Sequence, residues 1–323
     1  MFFNKIGIIK IIGIGILVVI LLKTDIHAVY SHLKNIRLFP FISSILLIIP
    51  LIALKSYRWH RLLVRSGIPS PFLKSVIFYF SSNYIGLITP GRLGEISKAL
   101  FLKEYKFSSF SYAMPGVIID RVSDLYLLLL FSLTGICYFD IFKNNTFFYS
   151  TISITVIAVC SLPFFIIFRL ENAVNWISRQ FSKRTSGKWE VALDLFAEGF
   201  SVLINTELFY TFFITLLSYL IYFYQNYLIA DSLNLNISYF SMIQIISLAT
   251  LIAYIPISIA GLGTREAILI FLFQQIGLSS DKALSFAVLF NVVYIVFTGI
   301  ICFIIWWIFC SDKKIECLKR GAK

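Results

Sequence analysis

Residues Asn83–Lys98 read NYIGLITPGRLGEISK, and residues Pro256–Phe273 read PISIAGLGTREAILIFLF. Each quotation lies in an apolar stretch, 72 to 97 or 241 to 275, that is interrupted near its middle by Pro, paired Gly, Arg and Glu. Proline removes a backbone donor and glycine loosens the chain, so a helix cannot run smoothly through either break. Backbone that leaves the helix at membrane depth must be enclosed by protein or border a wet cavity, because each bare N–H or C=O in lipid costs several kcal/mol. Both segments are therefore expected as re-entrant or broken-helix hairpins.

The surrounding chain is suited to a bilayer. Of its 323 residues 59% are apolar and 14% charged, with a mean hydropathy of +0.87, far from the balance of a soluble domain. Apolar windows near 6–22, 38–54, 115–138, 147–168, 208–230 and 284–309 are each long enough to cross a hydrocarbon core of roughly 30 Å. The expected fold is an all-α polytopic membrane protein, with six full spans plus two re-entrant or broken-helix hairpins in a single membrane domain, 1–323. The amino-terminal window is expected as an uncleaved helix rather than a signal peptide.

The net charge of +12 comes with no nucleic-acid-binding motif, so no nucleic acid partner is expected. The basic residues gather beside apolar windows, which makes them a topology signal. If each hairpin returns to its own side, the cytoplasmic segments are the amino terminus, 55–74, 98–107, 169–207 and the tail from 310. These hold most of the Lys and Arg, while the outer connectors hold Lys23, Lys34, Arg37, Lys143 and Lys282. Both termini then face the cytoplasm, across the cytoplasmic (inner) membrane. The first hairpin enters from inside and the second from outside. Residues 38–138 and 208–309 become the halves of an inverted repeat, a build common among transporters. Between them, 169–207 carries Trp189, Leu193, Phe196 and Phe200 at helical spacing beside Lys183, Arg184 and Lys188, as expected of an amphipathic connector on the cytoplasmic leaflet.

Seven ionisable residues fall at membrane depth: Arg92, Glu95, Asp120, Arg121, Asp124, Arg265 and Glu266. Facing lipid, each would cost roughly 2.5–3.5 kcal/mol, so they must face an interior. One reading makes them a salt-bridge cluster that pins the hairpins in place. The other gives the arginines a ligand: a guanidinium fork grips phosphate, and the half-helices after the breaks aim free N–H groups inward. A lipid phosphate is the natural anion at that depth. The five cysteines show no paired spacing and the three histidines sit in polar connectors, so neither a disulfide framework nor a metal site is expected. With no phosphate-binding loop or dinucleotide fingerprint, no cofactor is expected. An enzymatic reading would use Glu95 or Asp120 as a general base.

NYIGLITPGRLGEISK, the stretch VIIDRVSDLYLL at 117–128, and PISIAGLGTREAILIFLF resemble, in order and spacing, three motifs of the lysylphosphatidylglycerol synthase transmembrane-region family, also called flippase-like membrane proteins. The resemblance covers most of the chain. It implies translocation of a phospholipid or lipid-linked headgroup, with the phosphate held by intramembrane arginines. The best-studied members move aminoacylated phosphatidylglycerol, while a separate cytosolic domain transfers the amino acid from tRNA. Other members are associated with lipid-linked sugars. This chain ends soon after its last apolar window, so the transport half alone is expected, with a cytosolic transferase as a conceivable partner beside the bilayer and its lipid. Carried residue by residue, the resemblance implies substrate-binding roles for Asn83, Arg92, Glu95, Arg121, Asp124, Arg265 and Glu266, and hairpin-backbone roles for Pro90, Gly91, Gly94, Pro256, Gly261 and Gly263. Ala260 stands where a second glycine is common. The alternative is an intramembrane enzyme or accessory subunit in phospholipid or lipid-linked glycan modification.

Overall fold

The structure, a computed structural model, describes residues 15–139, 155, 188–203, 206–255, 258 and 260–308. Among the described residues every regular element is helical. In chain order these are α1 (Gly15–Lys23), α2 (Ile26–Lys34), α3 (Leu38–Arg65), α4 (Phe72–Leu87), a 3₁₀ segment (Pro90–Ile96), α5 (Ser97–Glu104) and α6 (Phe110–Tyr138). The second half adds α7 (Lys188–Leu203), α8 (Thr206–Ser232), α9 (Tyr239–Ala253), α10 (Thr264–Gln275) and α11 (Ser280–Ile308).

Among the described residues three helices are long and apolar enough to cross a membrane: α3, α8 and α11. A fourth crossing is counted if α1 and α2, bent by 85°, form one broken span. The bend follows from Asp25, whose carboxylate accepts from the N–H groups of His27 (2.9 Å) and Ala28 (3.2 Å) and so starts a new helix there. Helix α6 has the length to cross, 29 residues, but its middle turns carry Asp120, Arg121 and Asp124. The expected span at 147–168, most of that at 6–22, the proline at 256 and the tail from 310 lie outside the described residues, bar Thr155.

One boundary needs correction. The window at 38–54 does not end in a connector at Lys55, because α3 continues to Arg65. Its last three turns carry Lys55 and Arg58 inward, and Arg58 is completely buried. The basic residues that read as a cytoplasmic flank are in part the lining of the interior.

Both quoted stretches break where expected. Helix α4 stops at Leu87, and Gly91 (φ 58°) and Arg92 (φ 56°) take left-handed conformations before the chain resumes as 3₁₀ and then α5. Thr89 stabilises this turn by accepting from the N–H of Gly94 at 2.8 Å. The returning strand of chain lies directly on α4, since a Cβ on Gly94 would stand 2.5 Å from the carbonyl oxygen of Ile85. After α9, Ala260 (φ 54°), Gly261 (φ 78°) and Gly263 (φ 86°) do the same, and α10 packs back on α9. A pair of consecutive left-handed residues thus reverses the chain at each break, Gly91–Arg92 in the first and Ala260–Gly261 in the second.

The outer surface is apolar, and the interior holds charges alongside an apolar core. Phe39, Phe209 and Trp307 are exposed, while Arg58, Lys98, Asp120 and Asp124 are sealed inside. That distribution is the one expected where lipid surrounds the helices and any polar group must find partners within. The described part of the connector, α7, lays Phe200 and Leu203 against Leu62 and Ile119. Gly199 meets the Tyr112 carbonyl so closely that a Cβ would stand 2.6 Å away. Much of its apolar face is therefore spent on the bundle.

Candidate functional site

The two breaks open into one open-mouthed cavity. Gly91 and Arg92 line it from the first break, and Ala260, Gly261 and Arg265 line it from the second. Lys55 enters from α3 and Asn83 from α4, and five tyrosines join the wall: Tyr79, Tyr219, Tyr222, Tyr254 and Tyr294. Tyr294 belongs to a π-helical turn, Val292–Phe297, inside α11, and such turns recur at functional sites because they redirect side chains.

Behind the first break lies a chain of buried charges. Asp120 accepts from Arg58 Nε at 2.8 Å and from Lys98 Nζ at 2.5 Å. One turn along α6, Asp124 accepts from Arg58 Nη1 at 2.8 Å and meets Lys55 Nζ at 3.4 Å. Glu95 pairs with Arg121, with Lys98 at 3.5 Å and with Arg92 at 3.7 Å. Asp120 and Asp124 are four residues apart on a helix and so share a face, and Arg58 bridges the two. Lys55, Arg58, Arg92, Lys98 and Arg121 thus face Glu95, Asp120 and Asp124, five cations to three carboxylates.

The second break is built differently. Glu266 caps α10 by accepting from the N–H of Gly263 at 2.5 Å, offsetting the partial positive charge of that helix end. Its other oxygen accepts from Asn291 Nδ2 at 2.8 Å, tying α10 to α11. Arg265 folds back over Gly261, where a Cβ would stand 2.8 Å from its Nη2. It donates to the Ala260 carbonyl at 2.7 Å and to Asn291 Oδ1 at 3.4 Å. Among the described residues no carboxylate lies within 4.0 Å of the Arg265 guanidinium, and its buried Nε has no hydrogen-bond partner.

Of the expected substrate-binding residues, Asn83, Arg92 and Arg265 border the cavity, whereas Glu95, Arg121, Asp124 and Glu266 stand behind it in ion pairs or caps. Gly91 and Gly261 border it as hairpin backbone. Pro90 opens the 3₁₀ segment, and Gly94 and Gly263 shape the two turns. Residues not anticipated are Lys55, Arg58, Lys98 and the five tyrosines. Lys55 and Arg58 looked like the polar edge of a span, although Arg58 is placed to meet both carboxylates of α6. The tyrosines gave no signal, since nothing in their spacing sets these five apart from the other tyrosines among the chain's 17.

A helical chain with long apolar helices, an outer surface of large hydrophobic side chains, buried charges and two broken helices around a cavity bordered by cations is an integral membrane protein. Comparison with known families makes this specific. Residues 6–302 match the model described as "Lysylphosphatidylglycerol synthase TM region", and the chain belongs to that family. Membership associates it with membrane lipid. No curated protein matches the chain.

Proposed function

We propose that this protein moves a phospholipid or lipid-linked headgroup across the membrane, with the lipid phosphate held between Arg92 and Arg265. The single observation carrying this reading is that two guanidinium groups, one from each broken helix, border the same cavity, and that Arg265 has no carboxylate of its own. A guanidinium buried without a counter-charge is costly, and a bidentate phosphate is the anion whose geometry matches it. Asn83 borders the cavity beside them, its Nδ2 donating to Cys302 Sγ at 3.4 Å. Glu95, Asp124 and Glu266 act as positioning residues, holding Arg92, Lys55 and the start of α10 respectively, and Arg121 fixes Glu95 in turn.

The halves 38–138 and 208–309 form an inverted repeat in this proposal, with rocking of one against the other carrying the headgroup past the midplane while the acyl tails stay in lipid. The chain contains no nucleotide-binding motif, so movement is passive or coupled to an ion gradient. Reconstitution into liposomes carrying acyl-labelled fluorescent phosphatidylglycerol tests it, with dithionite bleaching the outer leaflet. Wild type should bleach well past the half expected of a static bilayer, and Arg265→Gln should slow the second phase at least about tenfold. Bleaching that stops at half for wild type, as for empty liposomes, would remove the proposal.

A further inference from the structure

The wall chemistry goes further than phosphate binding and, resting on the reading just given, bears on which headgroup is accepted. Among the described residues three cations border the cavity, Lys55, Arg92 and Arg265, and no Asp or Glu does. Counting the charges packed behind them, six cations stand against the four carboxylates Glu95, Asp120, Asp124 and Glu266, which leaves two positive charges unbalanced. A zwitterionic headgroup adds no net charge to correct this, and a headgroup bearing an extra amine makes it worse. The low dielectric of a buried site amplifies the difference.

The aromatic wall points the same way. A ligand ammonium is usually received on an aromatic face, but here the protein's own cations occupy those faces. Lys55 Nζ stands 4.8 Å over the Tyr219 ring, the Arg92 guanidinium 5.9 Å over Tyr254, and that of Arg265 4.5 Å over Phe290. What the wall still offers a ligand is hydrogen bonding through the hydroxyls of Tyr79, Tyr219 and Tyr254, since the side chains of Asn83, Thr89, Tyr222 and Tyr294 already bond within the protein. We infer that the cavity selects a headgroup of net negative charge bearing free hydroxyls, such as a glycerol or sugar phosphodiester, and excludes aminoacylated, cationic headgroups.

The test compares three lipids of matched acyl chains: phosphatidylglycerol, phosphatidylcholine and lysyl-phosphatidylglycerol. Binding is read by native mass spectrometry of the purified protein released from neutral detergent, each lipid competing against the others. Phosphatidylglycerol should be retained at least about tenfold over lysyl-phosphatidylglycerol, with phosphatidylcholine between, and Arg265→Gln should narrow the gap. Equal retention of the three, or preference for the lysyl lipid, overturns the inference. So does equal displacement by free glycerol phosphate, which would make the ligand a soluble anion. Because binding is read without transport, failure of selectivity and failure of translocation are separate results: a protein that flips all three lipids equally keeps the proposed function and loses the inference.

Discussion

Arg92 and Ala260 are the two residues at which backbone and function meet most closely. Both adopt left-handed φ values that cost a residue with a Cβ about 1–2 kcal/mol, and each sits in the turn that reverses a broken helix. At 260 the left-handed conformation is adopted by alanine, so the second turn carries strain that a glycine there would not. At 92 the strain places a guanidinium in the cavity. The charges behind it are held much more tightly than those at the surface. Asp120 is fully buried and serves two cations, whereas the Arg37–Asp231 pair has side chains 49% and 35% exposed. Removing a partner from a buried ion pair costs about 3–5 kcal/mol, while exposed pairs contribute about 0–1. Asp120→Asn should accordingly lower the midpoint of thermal unfolding in detergent by many degrees, and Arg37→Ala should leave it nearly unchanged. Similar midpoints for the two variants would show that the inner network is not what holds α3, α5 and α6 together.

At the scale of elements, the hairpins were legible in the sequence because Pro and Gly act locally: nothing elsewhere in the chain can restore a helix through Thr89–Gly94. The end of α3 was not legible, because its continuation from Lys55 to Arg65 depends on carboxylates some sixty residues away on α6. A basic run after an apolar window looks the same whether it flanks the membrane or turns inward to meet an acid. The close return of the first hairpin also depends on a residue whose role is steric. Gly94 lies against the Ile85 backbone, which cannot move aside as a side chain could. Gly94→Ala should therefore push the 3₁₀ segment off α4, destabilise by about 2 kcal/mol or more, and abolish translocation, with thermal unfolding and the dithionite assay as readouts. Gly67, with open space around it, marks the contrast: there glycine serves its positive φ and not a close approach.

For the molecule as a whole, the sequence conveyed that charges must be inside but not which of them would pair and which would remain available. Seven ionisable residues were legible as interior, and the geometry divides them. Glu95, Asp120, Arg121, Asp124 and Glu266 are spent on one another, on Arg58 and Lys98 and on a helix cap, while Arg92 and Arg265 border the cavity. That division could not be read from spacing, because it depends on which helices the two breaks bring together. It also gives the account its central claim, that the two arginines act on one ligand. The most direct test is a double-mutant cycle on the initial rate of phosphatidylglycerol translocation in liposomes, using Arg92→Gln, Arg265→Gln and the pair. Shared grip on a single phosphate predicts that the double variant is barely slower than either single one, a coupling of at least about 1 kcal/mol. Losses that simply multiply, or single variants that match the wild-type rate, would contradict it.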